Sequence, residues 1–489
     1  MNKRFTITTP IYYATAKPHV GHAFATIYAD ILARHHRGKG EDVFFLVGTD
    51  EHGAKVAQKA DEAGKTPQEY VDEIAEVYRS VWSALNIEYS KFVRTTSPEH
   101  KASVRAFTEK LKDHGDIYEG EYEGLYCVEC EDFITEKELV DGKCPDHKKE
   151  PQAIKEKNYF FALKKYVGEV RKRIKSDELR VEPETRRNET LKFLEAGLPD
   201  FSVSREKVKW GIPFPGDERQ VIYVWVEALM NYVTALGFPD GADFKKYWPA
   251  DVHVIGAEIN KFHTVFWPAM LIAAGVPVPK SVFIHGLFTV NGDKMSKTVG
   301  NVIDPADMVA QFGADATRYL LVSQFPASEH GDIRASEFVK KYNTDLAGGV
   351  GNIFERIYAL AIQNHTALDG DPDKDMLKEL KIHVAASDAY MEKYKIYETL
   401  SAAFAAMRAV DQYVNHTEPW TLAKNGDTEE LKTVLATLLA AAKELIAVFR
   451  PVLPDAMARA EEWHKRVLAG TADGHLALFP RIASRRVVH

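Results

Sequence analysis

Phe5-Thr6-Ile7-Thr8-Thr9-Pro10-Ile11-Tyr12-Tyr13-Ala14-Thr15-Ala16-Lys17-Pro18-His19-Val20-Gly21-His22 is the stretch whose reading decides the fold. Phe5 to Thr8 is β-rich, Pro10 ends that run, and Pro18 stands where a helix starting near His19 accepts a proline in its first turn. Strand, loop and helix in this order open a nucleotide-type α/β domain. At such a junction the unpaired N–H groups and the positive helix end favour phosphate, two imidazoles can donate to phosphate oxygens, and Gly21 lets a flat ring approach the backbone. Alone, His19-Val20-Gly21-His22 reads more simply as two surface histidines on an amphipathic helix.

Outward from that junction, Val43-Phe44-Phe45-Leu46-Val47 is a continuous apolar run bounded by Gly40 and Gly48, as a parallel strand buried on both faces requires. It runs into Gly48-Thr49-Asp50-Glu51-His52-Gly53. Thr66 and Glu69 are spaced as a capping box ahead of Ile74, Val77, Val81 and Leu85 at helical spacing, and Ser97-Pro98 opens another helix. Residues 116–216 are short, charged, turn-rich pieces, and apolar strand-like runs resume at 221–225, 252–255 and 281–284. Beyond about Val302 strand signals largely vanish, and residues 343–469 are Ala- and Leu-rich with helical periodicity, punctuated by Pro419, Pro451 and Pro454. The expected architecture is α/β: a Rossmann-type parallel sheet split by an insertion and followed by an all-α C-terminal helical bundle. Its expected parts are residues 1–115 and 217–301 for the halves of the sheet domain, 116–216 for the insertion, 302–345 for a linker and 346–489 for the bundle.

The 489 residues, 45% hydrophobic and 27% charged, supply apolar material for several cores. No run approaches the ~18 apolar residues of a membrane span, and the start has no apolar signal-peptide core, so a cytoplasmic protein without membrane attachment is expected. A net charge of -8 lacks the global basic signature of a nucleic-acid binder, although a basic patch on an acidic protein remains compatible with one.

Three cysteines in such a chain cannot form a disulfide framework. Cys127-Val128-Glu129-Cys130 and Cys144-Pro145-Asp146-His147 instead give C-x₂-C and C-x₂-H pairs, a spacing that tetrahedral zinc with three thiolates and one imidazole can satisfy. A single structural zinc on Cys127, Cys130, Cys144 and His147 is expected, which makes the insertion zinc-binding; three unmetallated thiols are the alternative.

Gly292-Asp293-Lys294-Met295-Ser296-Lys297-Thr298-Val299-Gly300 sets two lysines between glycines beyond a predicted strand. Glycines permit loop movement, and ammonium groups can neutralise charge on a transferring phosphoryl group; alone, the segment is an ordinary solvated basic turn. Paired across a split α/β domain, H-x-G-H and K-M-S-K are far more specific than either. With them stand Thr9-Pro10-Ile11-Tyr12-Tyr13, Gly48-Thr49-Asp50-Glu51-His52-Gly53, Tyr223-Val224-Trp225, Lys261-Phe262-His263, Phe266-Trp267-Pro268 and His285-Gly286. In these residues, from Thr9 to at least Trp420, the chain resembles the class I aminoacyl-tRNA synthetases and, within them, the methionyl-tRNA synthetases.

The resemblance implies ATP-dependent activation of L-methionine to an adenylate, then transfer to the terminal adenosine of the methionine tRNA. It assigns His19 and His22 to the phosphates, Gly21 to the adenosine, Lys294 and Lys297 to the pyrophosphate, and Gly256 and Glu258 to ATP. Magnesium would accompany ATP. A thioether pocket calls for apolar and aromatic walls, and the matching positions are Ile11, Tyr13, Trp225, Ala228, Leu229, Tyr232, Ile259 and His263, with Asp50 for the substrate ammonium. Without the resemblance each aromatic would read as plain core, and Asp50-Glu51-His52 as a metal cluster only if consecutive strand-end residues pointed the same way, which they do not. Asn352, Arg356 and Trp420 match anticodon-contacting positions, where stacking and hydrogen bonds read unstacked bases; otherwise they are an exposed polar pair and a core aromatic.

The chain departs from the family pattern where Gly256-Ala257-Glu258 stands for Gly-Lys-Asp, Val226-Glu227 for Leu-Asp, and Thr298 for serine. No C-terminal dimerisation module is recognisable, so a monomer is expected. Other readings are a small-molecule nucleotidyltransferase, which leaves the zinc insertion and bundle idle, a non-catalytic tRNA-binding paralogue, which Ala257 favours and the intact histidines and lysines oppose, and another synthetase specificity such as cysteine, which the aromatic pocket opposes.

Overall fold

The computed structural model describes residues 3–127, 132–134, 136, 139–145, 148–293 and 302–483. Its central element is a seven-stranded sheet containing β1 (Arg4–Thr8), β2 (Tyr12–Tyr13), β3 (Asp42–Asp50), β4 (Lys91–Arg94), and three later strands whose order is given below. Between them the chain forms β5 (Ile117–Cys127), β6 (Asp132–Ile134) and β7 (Gln152–Phe161), then β8 (Arg180–Glu182), β9 (Phe201–Ser202), β10 (Val252–Gly256) and β11 (Ser281–His285). The sheet runs β2-β3-β1-β10-β11-β8 with β4 also on β3, and every pairing is parallel. Parallel strands are buried on both faces, which is why the apolar runs settle at its centre: Phe45, Leu46 and Val47 in β3 and Val252, Val254 and Ile255 in β10 are at most 1% exposed. Strands β3 and β10 flank β1 on opposite sides, so the crevice at the carboxyl ends of β1, β3 and β10 is the place where such folds hold ligands.

Strands β5, β6, β7 and β9 make a separate four-stranded antiparallel sheet within the expected insertion. Strand β8, from the same stretch, returns to the parallel sheet as its edge beside β11. The run at 221–225 does not join that sheet. Gly216, at φ 83°, turns the chain so that Asp217–Ile222 pairs antiparallel with Ser204–Arg205 and Pro213–Phe214, and Tyr223 then starts the helix Val224–Leu229. An unbroken apolar run does not itself separate a strand end from a buried helix start.

These elements belong to one compact unit, residues 1–18, 39–83 and 88–285; residues 19–38, 84–87 and 286–489 form a second. In the second, α1 (Val20–Gly38) is buried on most of its surface, α2 (Ala314–Val322) packs on it, and Phe288–Val290 pairs with Gly331–Ile333. A π-helical segment, Tyr342–Gly351, leads into the bundle: α3 (Asn352–Gln363), α4 (Lys374–Met391), α5 (Ile396–Thr417), α6 (Pro419–Asn425), α7 (Thr428–Phe449) and α8 (Pro454–Leu468). Helix α7 is central and touches α3, α4, α5, α6 and α8. Pro419 and Pro454 occupy first-turn positions, where the missing N–H costs nothing. Among the described residues no helix is long and apolar enough to cross a membrane.

Candidate active site

In the first unit, Tyr13 and Asp50 face each other in the register of β2 and β3, and Ala14 N donates to Asp50 O at 2.8 Å. Asp50, the last residue of β3, is 4% exposed. The Tyr13 ring stands edge-on to Trp225 at 5.6 Å and 85°, and Trp225 stacks on Phe262 at 4.4 Å and 12°. Ile11 and Ile259 pack against the same core as Leu229 and Tyr232, and Ala228 is buried on the helix that bears Trp225. A π-helical turn, Phe262–Phe266, carries His263, and such turns recur at functional sites.

His263 Nδ1 lies 3.0 Å from Ile259 O, so it carries the proton and donates; Nε2 is then the acceptor for the Tyr232 hydroxyl at 2.7 Å. Burial lowers His263 to about 4 and raises the Tyr232 phenol, so both are neutral near pH 7. The pocket wall thus holds an apolar surface with one committed hydrogen bond, suited to a thioether. Sequence reasoning passed over His253, which lies 4.2 Å from the Tyr232 ring with Nδ1 2.7 Å from Thr8 Oγ1. Burial, then His263, lowers it well below the usual histidine range. Its signal was a histidine inside an otherwise apolar buried strand.

Glu51 and His52 turn away from Asp50, as expected of consecutive strand-end residues. Glu51 Oε1 accepts from Thr49 Oγ1 at 2.6 Å and Arg94 Nε at 2.7 Å, whereas His52 Nδ1 meets Glu227 Oε1 at 2.7 Å. Gly256 ends β10 with the Glu258 carboxylate directly over it: a Cβ at Gly256 would lie 2.6 Å from Glu258 Oε2. Glu258 itself is exposed.

In the second unit, His19 and His22 stack with ring centroids 3.9 Å apart. Gly21 N donates to His19 Nδ1 at 3.0 Å and His19 N to His22 Nδ1 at 3.2 Å, which leaves the ring protons on Nε2. Burial, then His19, lowers His22 well below the usual range. These are therefore neutral, partly buried donors at a helix start, not two solvated histidines on an amphipathic face. Lys294 and Lys297 lie outside the described residues; the chain enters them from Phe288–Val290, closed by a bridge between Val290 and Asp293.

Of the expected zinc ligands, Cys130 and His147 lie outside the described residues. Cys127 ends β5 and Cys144 starts a turn in which Lys148 N donates to Cys144 O and Cys144 N to Lys149 O, each at 2.9 Å. Both cysteines are at most 2% exposed, and buried soft donors fit a structural zinc. In the bundle, Asn352 is exposed, Arg356 binds Asp411 and donates to Asn415 Oδ1 at 2.8 Å, and Trp420 is 48% exposed at the start of α6. The core reading of Trp420 is thereby overturned.

The chain matches the family described as tRNA synthetases class I (M) over residues 5–154 and 147–358. It is 44% identical over 477 residues to a methionine–tRNA ligase of Thermotoga maritima, covering 95% of this chain and 75% of that protein. A methionine–tRNA ligase of Clostridium acetobutylicum is 42% identical over 463 residues, 93% of this chain and 72% of that one. The structure superposes on the Mycobacterium tuberculosis methionyl-tRNA synthetase in complex with methionyl-adenylate with a TM-score of 0.90 at 33% identity, covering 98% of this chain and 99% of that chain. With its parallel sheet, its H-x-G-H helix start and its aromatic pocket accounted for together, the chain belongs to the methionyl-tRNA synthetases of class I.

Proposed function

We propose that the chain is a methionine–tRNA ligase: it activates L-methionine with ATP, releasing pyrophosphate, and transfers methionine to the 3'-terminal adenosine of its tRNA. The observation that carries this reading is the chain of rings Tyr13–Trp225–Phe262, which starts beside the buried Asp50 in the strand register, together with the neutral, hydrogen-bonded Tyr232–His263 pair that follows Phe262. The aspartate suits the substrate ammonium and the rings suit the thioether. No enzyme nucleophile is needed. A methionine carboxylate oxygen attacks the α-phosphorus, the bond to the bridging oxygen breaks, and pyrophosphate leaves with the electron pair. The terminal ribose hydroxyl then attacks the methionyl carbonyl and AMP departs. The protein positions reactants and meets developing charge: His19 and His22 through Nε2–H at the phosphates, Gly21 at the adenine ring, Gly256 and Glu258 at the nucleotide, and Lys294 and Lys297 at the leaving pyrophosphate. Magnesium neutralises ATP when bound.

Further parts of the reading are one structural zinc on Cys127, Cys130, Cys144 and His147, anticodon contacts through Asn352, Arg356 and Trp420, a monomeric state and a cytoplasmic location. Amino-acid-dependent ATP–pyrophosphate exchange, run with each amino acid in turn, tests the activity: methionine is expected to stimulate it most, and preference for another amino acid overturns the assignment. Elemental analysis of unchelated protein is expected to give one zinc per chain; no stoichiometric zinc refutes the metal site.

A further inference from the structure

Glu227 is wholly buried, and among the described residues its carboxylate is held by two histidines, not by a lysine or arginine. His52 Nδ1 lies 2.7 Å from Oε1 and His100 Nε2 lies 2.8 Å from Oε2. His100 Nδ1 continues to Thr234 Oγ1 at 2.8 Å. All four side chains are at most 3% exposed. Burial raises Glu227, but His52 and His100 more than offset it, leaving the group below its ordinary value. An ionised carboxylate only accepts, so each facing imidazole nitrogen must donate.

The elements that meet here are the two walls of the methionine pocket. His52 follows Asp50 by two residues, and Glu227 sits on the helix Val224–Leu229 with Trp225 and Ala228. Thr234 closes the next short helix, Asn231–Thr234, which bears Tyr232. The rest of the strand end is anchored as well: Glu51 N donates to Thr95 Oγ1 at 2.9 Å, Trp210 Nε1 donates to Glu51 O at 2.6 Å, and Gly53 N donates to Trp210 O at 3.0 Å. The His52–Glu227 bond is a direct side-chain tie between the Asp50 strand end and the Trp225 helix, and His100 extends it to the Tyr232 helix.

We infer that Glu227, clamped by His52 and His100, is a positioning residue that sets the distance between the ammonium-binding carboxylate and the aromatic side of the methionine pocket. It touches no substrate and acts through Asp50, Trp225 and Tyr232. The inference rests on the pocket assignment proposed above. What the arrangement uses is the carboxylate, whose two oxygens meet histidines from different elements at once.

The test is pyrophosphate exchange with Glu227→Gln, which keeps shape but removes one acceptor. Losing a hydrogen bond to a charged group corresponds to roughly tenfold in an equilibrium, so the methionine KM is expected to rise about tenfold while the ATP KM stays within about twofold. Glu227→Asp, which keeps the carboxylate, is expected to recover most of the methionine KM. A Glu227→Gln protein with a lowered melting temperature and an unchanged methionine KM overturns the inference, as does an equal rise in both KM values. Should Glu227→Gln fail to accumulate as folded protein, His52→Leu is read the same way, with the same two outcomes. If the wild-type protein itself shows no preference for methionine, it is the pocket assignment that falls.

Discussion

His263 shows how one residue couples the site to stability. Its folded value near 4 lies below the ordinary 6.5, so unfolding takes up a proton between those two values. The sign follows: its contribution is complete above about pH 6.5 and is lost as pH falls toward 4. The difference corresponds to about 3 kcal/mol. His263→Gln is expected to flatten the melting-temperature profile between pH 6.5 and 4, measured by thermal scans in a pH series, and an unchanged slope would contradict the buried neutral state. Type and position of this residue were legible from its match to the pocket set. Its tautomer was not, because Ile259 O and Tyr232 reach it only in the folded chain.

Among the elements, strand β3 depends on a glycine for its pairing. A Cβ at Gly48 would stand 2.2 Å from Val93 O on β4, a backbone atom that cannot swing aside. Gly48→Ala should therefore cost about 1–3 kcal/mol as an overpacked contact, read as a lower denaturation midpoint. Helix α6 carries the opposite kind of residue. Trp420, 48% exposed, contributes little to packing and offers a stacking face worth about 1–3 kcal/mol per base. Trp420→Ala is expected to lower charging of the methionine tRNA by roughly one to two orders of magnitude, with exchange and melting temperature unchanged; a parallel fall in both activities would refute it. Helix signals in the sequence were sound but incomplete. Thr66 N does bond Glu69 Oε2 at 2.9 Å, and Val81 and Leu85 are buried as expected, yet the rest of the buried face of Pro67–Ala84 is Val71, Ala75, Tyr78 and Trp82, with Ile74 and Val77 only partly covered. Periodicity locates a stripe, and large aromatic rings beside it decide which edge faces inward.

At the scale of the molecule, the second unit is knit together by Arg318, a fully buried guanidinium. It lies 2.7 Å from Asp30 Oδ2 on α1 and donates to Val452 O at 3.1 Å, Pro451 O at 3.0 Å and Leu85 O at 3.3 Å. The helix that begins with His22's turn is thereby tied to the corner between α7 and α8. Asp315, raised by burial to about 6, caps that corner through Ala456 N at 2.6 Å. Arg318→Leu removes the buried guanidinium from Asp30 and from the carbonyls of Val452, Pro451 and Leu85, so a loss of about 3–5 kcal/mol is expected, measured by chemical denaturation. A change below about 1 kcal/mol would show the hub to be replaceable.

The sequence by itself determined the H-x-G-H and K-M-S-K signatures and the order of parallel sheet and helical bundle, which depend on residue identity at short spacing and on periodicity, both of them local properties; the reaction class came through the resemblance those signatures carry. Only the tertiary structure decided that the apolar run at 221–225 ends a hairpin and starts a helix, that β8 returns from the insertion to the sheet edge, that Trp420 is exposed, and that Glu227 meets His52 and His100. Each of these is settled by pairing and packing in the folded chain, and Glu227 meets His52 and His100 across 175 and 127 residues, so a buried carboxylate finds its donors through the fold, not through its neighbours in sequence.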